Sequence, residues 1–277
     1  MITGRGKVIA HIGYPTASFK ASMIYNPWFE AKGIDAMVVP LGVKGEDFAS
    51  LFRPLLGITT VHGALITMPH KVTVMELVDE VTPTASIAGS ANAVLKRPDG
   101  SLLADMFDGA GFVRGVERKG RKIGGARALV VGAGGVGCAI AASLAAAGPA
   151  ALGVFDVNGE AADALAGRLR AHYPGLEIAI GSRDPAGYDL VVNATPLGMR
   201  EDDPLPFDPE RLAPSTFVGE VVMKEEYTPL LRAARAKGCP VQVGTDMLFE
   251  MIPAYLEFFG FGASTAEELR GLAQLQY

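Results

Sequence analysis

One stretch of the 277-residue chain has the residue types and spacing to hold a dinucleotide phosphate. Gly132-Ala133-Gly134-Gly135-Val136-Gly137 reads G-x-G-x-x-G, directly after Leu129-Val130-Val131 and directly before an apolar run from Cys138 to Ala147. Between a strand and a helix, the first glycine allows the tight turn and the second admits a pyrophosphate to the backbone. The third lets strand and helix pack closely, and the helix start offers N–H groups to the anion. Asp156 ends the run Gly153-Val154-Phe155, about two dozen residues after Gly132. A carboxylate there can accept both ribose hydroxyls and repels a 2′-phosphate. The next basic residue along the chain is Arg168, so NAD is expected over NADP.

Three earlier stretches join polar groups to turns: Thr67-Met68-Pro69-His70-Lys71, Ala88-Gly89-Ser90-Ala91-Asn92 and Asp105-Met106-Phe107-Asp108-Gly109-Ala110-Gly111. Three later ones are Asn193-Ala194-Thr195-Pro196-Leu197-Gly198-Met199, Thr228-Pro229-Leu230-Leu231 and Gly244-Thr245-Asp246-Met247-Leu248. In this order, over nearly the whole chain, they resemble the shikimate dehydrogenase family. The resemblance implies a two-domain enzyme that passes hydride between a ring alcohol and nicotinamide in a cleft between its domains. It matches Lys71 and Asp108 to the catalytic lysine and aspartate, and Thr67 and Asn92 to residues that hydrogen-bond substrate hydroxyls. It places the 193–199 loop beside the nicotinamide. Asn193, Thr195, Pro196, Met199, Val221, Gly244 and Met247 thereby join the glycine loop as cofactor-binding positions.

The chemistry is consistent with those roles. Oxidising a secondary alcohol requires a group that takes the hydroxyl proton as hydride leaves, and a neutral lysine amine can do so. A carboxylate about 4 Å away, at an effective dielectric near 20, favours the ammonium by about 4 kcal/mol. Asp108 is therefore expected to orient Lys71 and share its proton. The plainer alternatives are a solvated lysine after a Pro turn and an aspartate capping a helix ahead of Gly109.

The sequence also departs from the family. Aligned on Gly13-Tyr14-Pro15, the two serines with which the family grips a substrate carboxylate are replaced by Phe19 and Ala21. Ser18 and Ser22 each stand one residue away, a slip that turns a side chain of extended backbone to the other face. Met223 occupies the place of a substrate-facing tyrosine and Met251 that of a glutamine. A more apolar pocket is expected. Two lost hydrogen bonds to a carboxylate, at roughly 1.5–3 kcal/mol each, weaken shikimate or quinate recognition about a hundred-fold to ten-thousand-fold. Lys20 and Arg53 are the cations considered as replacement anion contacts.

The leading expectation is thus an NAD-dependent oxidoreductase acting on a ring hydroxyl of shikimate, quinate or a related cyclic hydroxy compound. The alternatives are the biosynthetic NADP-dependent shikimate dehydrogenase of aromatic amino acid biosynthesis and a non-catalytic, regulatory dinucleotide-binding relative.

The elements that must position these residues follow an α/β pattern. Strands are expected at 7–13, 35–41 and 63–67, with helices at 21–32 and 45–56 between them, an α/β substrate domain. Trp28 is expected in its core, at helical spacing with Tyr25 and Phe29. From Arg127 a second series begins, with later strands at 151–155, 177–180, 190–193, 217–222 and 240–243 and helices at 136–147, 160–173 and 229–237. Parallel crossovers make this a doubly wound Rossmann-type domain. The expected division is 1–107 plus 246–277 for substrate and 108–245 for NAD(P). The closing helices, 247–259 and 266–276, return to the first domain.

Composition narrows the partners. The chain is 49% hydrophobic and 20% charged, with 25 Lys plus Arg against 30 Asp plus Glu, which disfavours a disordered chain and a nucleic-acid binder. Its two cysteines, Cys138 and Cys239, lack C-x-x-C spacing, and His11, His62 and His172 lack metal-ligand spacing, while His70, next to Lys71 but turned to the opposite side by alternation, is given no role. No metal is expected, and the other three histidines are expected to be satisfied core or surface residues. The uncharged run from Ala128 to Phe155 is broken by glycines, so it is read as buried α/β chain and not as a membrane helix. With no signal peptide recognisable at the N-terminus, a reducing cytoplasm is expected. The expected partner is a small cyclic hydroxy compound, with a homodimer as the assembly considered.

Overall fold

Short β-branched runs alternate with amphipathic ones at the start of the chain, and they fold accordingly in the computed structural model, which describes residues 2–275. The elements in order are β1 (Lys7–Gly13), α1 (Ser22–Ala31), β2 (Ala36–Gly42), α2 (Gly45–Gly57), β3 (Val61–Ile66), β4 (Glu80–Val81), α3 (Pro83–Ala88), β5 (Ala93–Lys96) and β6 (Leu102–Asp105). They make one sheet of order β2-β1-β3-β5-β6-β4, with β1 parallel to both β2 and β3. Trp28 is 1% exposed in the core of this unit, and its indole N–H donates to Glu268 Oε2 at 3.2 Å.

The β5–β6 hairpin was not among the expected strands. It pairs antiparallel with β3 and within itself, in the register Ala93↔Asp105 to Lys96↔Leu102. Four-residue strands carry too little periodicity to stand out. The signal was in the turn: Pro98-Asp99-Gly100 lets Arg97 N donate to Ser101 O at 2.9 Å, with Gly100 at φ +88°.

The second series runs α4 (Asp108–Arg118), β7 (Arg127–Val131), α5 (Gly135–Ala146), β8 (Ala151–Phe155), α6 (Gly159–His172), β9 (Glu177–Ile180), β10 (Leu190–Asn193), β11 (Phe217–Glu220), α7 (Pro229–Ala236) and β12 (Val241–Gln242). Its sheet has the order β12-β11-β10-β7-β8-β9 and is parallel throughout. β10 is buried along its whole length and β7 at all but its first residue, as parallel strands covered on both faces must be. Gly109 of α4 lies against the Ala139 carbonyl of α5, where a Cβ would collide. α5, the helix of the uncharged run, is 12 residues long. No helix among the described residues is long and apolar enough to cross a membrane.

Two helices close the chain, α8 (Gly244–Phe258) and α9 (Ala266–Leu272). The compact units are residues 2–107 with 251–275 and residues 108–250. The division falls inside α8 at 250/251 rather than at 245/246. The reason is local: Lys119 pairs with Asp246 at 3.0 Å and Arg118 with Glu250 at 2.8 Å, so the first turns of α8 belong with α4. α9 stops at Leu272, short of the expected helix 266–276. Residues 276–277, which end that expected helix and domain, lie outside the described residues.

Candidate active site

In the second unit β7 is the strand where the winding reverses, with β8 on one side and β10 on the other. Parallel sheets bind ligands beyond the carboxyl ends of their strands at such a reversal. Val131 ends β7 and pairs with Phe155 of β8 and Asn193 of β10. The next residue, Gly132, has φ +112°, and its N–H donates to Phe155 O at 2.7 Å. A Cβ there would stand 2.7 Å from the Ala194 backbone, so only glycine suits both its conformation and its contact. The glycine loop and the 193–199 loop therefore line one crevice. Gly134 caps α5 without a side chain to satisfy the first amides, the arrangement anions use. Gly135 and Val136 follow half-buried, and Gly137 is buried.

Asp156 stands just past β8. Its Oδ2 accepts from Ala133 N at 2.6 Å and its Oδ1 from Asn158 N at 2.8 Å, which leaves other lone pairs of the carboxylate for ribose hydroxyls. Arg168, the nearest cation along the chain, is committed to Cys138, with Nη2 3.4 Å from Sγ. The fold brings another that sequence distance hid: the Arg183 guanidinium lies 5.8 Å from the Phe155 ring.

Asn193 is fully buried and organises its loop. Its Oδ1 accepts from Thr195 N at 3.1 Å and Oγ1 at 2.6 Å, and its Nδ2 donates to Leu197 O at 3.1 Å. Met199 N donates to Pro196 O at 3.1 Å, and Val221 N to Asn193 O at 3.2 Å. Gly244 faces the Val222 carbonyl, and Met247 is 2% exposed. Most of the positions expected to bind cofactor thus gather around the ends of β7, β10 and β11.

The first unit holds the other set. Thr67 follows β3, with its N–H on Ile12 O at 2.9 Å, and lies beside Gly13, where a side chain would strike both Thr67 and Phe19. His11 precedes Gly13 by two residues and so shares its face of the sheet. The His11 ring stacks on Phe19, with centroids 4.1 Å apart. His11 is buried, and its Nδ1 has no hydrogen-bond partner; the expectation of a satisfied histidine fails here. Burial first, and then the charge of Lys71, push its pKa down to about 3, so the ring is neutral.

Lys71 is half-buried, and its carbonyl accepts from Ala91 N at 2.8 Å, tying the Thr67–Lys71 turn to the Ala88–Asn92 stretch. Asn92 is 1% exposed. Its backbone bonds to Ile66 N and Asp105 O, and its Oδ1 accepts from Phe107 N at 3.0 Å. Thr67, Lys71 and Asn92 are thus joined through backbone contacts on neighbouring strand ends. Asp108, 1% exposed, follows Phe107 directly and opens α4 in the second unit.

Ser22 lines a groove with Met23, Asn26, Pro27, Glu30 and Gln274, and Ser18 is half-buried in the turn before α1. Met251 is buried in α8, and Met223 is half-buried. Arg53 is paired on the surface with Asp79 at 2.8 Å, while Lys20 is 7% exposed and burial holds its amine below the usual range. His70 stacks on Phe48 and bonds Val43 O at 2.8 Å, a satisfied core residue. His62 Nε2 bonds Phe259 O at 2.9 Å. Among the described residues no group of three or more His, Cys, Asp or Glu side chains could hold a metal.

Residues 11–94 match the family described as the shikimate dehydrogenase substrate binding domain. The chain is 35% identical over 280 residues to a shikimate dehydrogenase (NADP(+)) of Rhodospirillum rubrum, covering 98% of each chain. It is 37% identical over 251 residues to the enzyme of the same name from Rubrobacter xylanophilus, covering 89% of this chain and 88% of the other. Among solved structures, a quinate dehydrogenase from Corynebacterium glutamicum in complex with NAD superposes with a TM-score of 0.85 at 29% identity, covering 96% of this chain and 98% of that one. With its substrate-domain match and a doubly wound parallel sheet ending in a glycine loop, this chain belongs to the shikimate dehydrogenase family of NAD(P)-dependent oxidoreductases that act on a hydroxyl.

Proposed function

We propose that this enzyme passes hydride between NAD and a ring hydroxyl of a cyclic hydroxy compound lacking the carboxylate of shikimate and quinate, which it uses weakly. The observation that carries this is the Phe19–His11 stack beside Thr67. An aromatic ring and a neutral imidazole fill the ground where the family's serines would meet an anion. Desolvating a carboxylate there without charge-assisted partners costs several kcal/mol, whereas an uncharged ring face suits it.

The roles follow from the chain's own residues. Thr67 and Asn92 hold substrate hydroxyls, and the Phe107 amide on Asn92 Oδ1 fixes that side chain. Lys71 takes the hydroxyl proton in the oxidative direction, and Asp108 orients it. Gly132, Gly134 and the start of α5 hold the pyrophosphate, and Asp156 takes the ribose. When bound, the nicotinamide supplies the hydride acceptor or donor. The NAD-bound quinate dehydrogenase relative supports the NAD preference, as does the Asp156 carboxylate.

A second reading is NADP-dependent oxidation of shikimate itself. It is favoured by the relatives named for NADP(+) and by Arg183 beside Phe155, a cation near the ribose end.

Initial rates with shikimate, quinate and carboxylate-free cyclitols, each with NAD and with NADP, separate the two. The expected result is the highest kcat/KM for a carboxylate-free ring with NAD. Lys71→Ala should lower kcat by about 10²–10⁴-fold and leave the dinucleotide Kd unchanged. Fast shikimate oxidation with NADP overturns the first reading in favour of the second. Dinucleotide binding without turnover of any ring alcohol overturns both.

A further inference from the structure

Glu220 has no part in the reaction as described, yet it is fully buried at the end of β11. Its Oε1 has no hydrogen-bond partner, a rare condition for a buried polar atom. Its Oε2 accepts from Asn193 Nδ2 at 3.3 Å, and Asn193 is its register partner at the end of β10. The Thr228 hydroxyl, which also accepts from Leu231 N at 3.3 Å as the cap of α7, bonds it as well. Asn193 is therefore shared: one end of its amide serves both Glu220 and Leu197 O, and the other serves Thr195.

We propose that Glu220 is a positioning residue for the 193–199 loop, which its neutral form holds through Asn193 in the dinucleotide-binding arrangement and its ionised form releases. A carboxylate draws donors more strongly and to shorter distances than a neutral acid does. Asn193 Nδ2 carries two N–H groups, one on Leu197 O and the other in a long bond to Glu220 Oε2, and ionisation draws this amide towards the carboxylate and away from Leu197 O. The orphaned Oε1 also demands a donor once charged, and the local choice is water or a further shift of Asn193.

The surroundings place this change near neutrality. Burial, the larger effect, pushes the carboxyl up to about 7, against the pull of the Thr228 and Asn193 donors, and Glu225 adds to the rise. Of the elements packed on Glu220, β10 brings the Asn193 amide and the N-cap of α7 the Thr228 hydroxyl, while β12 pairs with β11 through uncharged Val241 and Gln242. Glu225 is the charged group acting on it among the described residues.

The inference rests on the proposed placing of this loop at the dinucleotide, so the test reads binding directly. NADH Kd is measured by fluorescence titration from about pH 5.5 to about pH 9 on the intact enzyme, with kcat and the NAD KM alongside. The wild type is expected to lose affinity by about ten-fold across this range, a coupling of ordinary size, with its midpoint near 7 and kcat changing less than KM. Glu220→Gln, an uncharged mimic of the acid, should keep the low-pH affinity throughout. Thr228→Val removes a donor that favours ionisation and should move the midpoint upward. Parallel profiles in wild type and both variants overturn the proposal while leaving the cofactor reading intact. A wild type that binds no dinucleotide at any of these pH values overturns the cofactor reading and this proposal with it.

Discussion

The crevice at the ends of β7 and β10 and the face around Thr67 and His11 solve recognition in different ways. At the crevice most of the work is done by backbone: a glycine at positive φ, a helix start, and amides that lock Asp156. Around Thr67 the face is set by side chains, and there a stacked ring pair takes up the space while a buried imidazole nitrogen is left without a partner. Backbone recognition fixes one ligand for many sequences, because it depends on conformation and tolerates change around it. Side-chain recognition changes with a single residue. On the proposed reading, this chain keeps the family's first device and has rewritten its second.

The most forceful way to break that contrast is to restore the serines. Phe19→Ser with Ala21→Ser should raise kcat/KM for shikimate by about a hundred-fold to ten-thousand-fold, two charge-assisted bonds at roughly 1.5–3 kcal/mol each, and leave NADH affinity unchanged. No gain in steady-state assays would mean that the His11–Phe19 face does not meet the substrate. A smaller but still large effect is expected in the other region. Gly132→Ala forces a side chain into a left-handed backbone against Ala194, and should weaken NADH binding about 10–100-fold, from roughly 1–3 kcal/mol of strain. Titration of the variant would sharpen the contrast if kcat at saturating cofactor survives. The mildest is Asp156→Asn, which removes the charge that repels a 2′-phosphate while keeping a polar group on Ala133 N. The NAD to NADP preference should shift about ten-fold towards NADP, as expected for one charge near a half-exposed site. An unchanged ratio would point to Arg183 as the determinant.

The same contrast explains what could be read from the chain alone. The glycine spacing, Asp156 and the parallel strands were legible because each is a local rule of backbone geometry. Lys71, Thr67 and Asn92 were singled out through family motifs, and the structure ties their turns together by backbone bonds at neighbouring strand ends. His11 was not, since nothing in its spacing reveals that β1 brings it against Phe19 and within reach of the charge on Lys71. Glu220 and Arg183 were missed for a related reason: one meets Asn193 across two strands and the other meets Phe155 from beyond β9. Ser22, one residue from the family's serine, lies in the first turn of α1 and lines a groove with Asn26 and Glu30, a surrounding that spacing alone does not reveal.

The β5–β6 hairpin has a practical consequence for handling the molecule. Its register keeps Asn92 and Met106 at one end and the Arg97–Ser101 turn at the other, about 15 Å apart for strands of this length. Loops of this kind lengthen at little entropic cost. A fluorophore or purification peptide spliced between Asp99 and Gly100 would ride at the far end of a rigid ribbon, and would report on the enzyme without crowding the residues that meet its substrate.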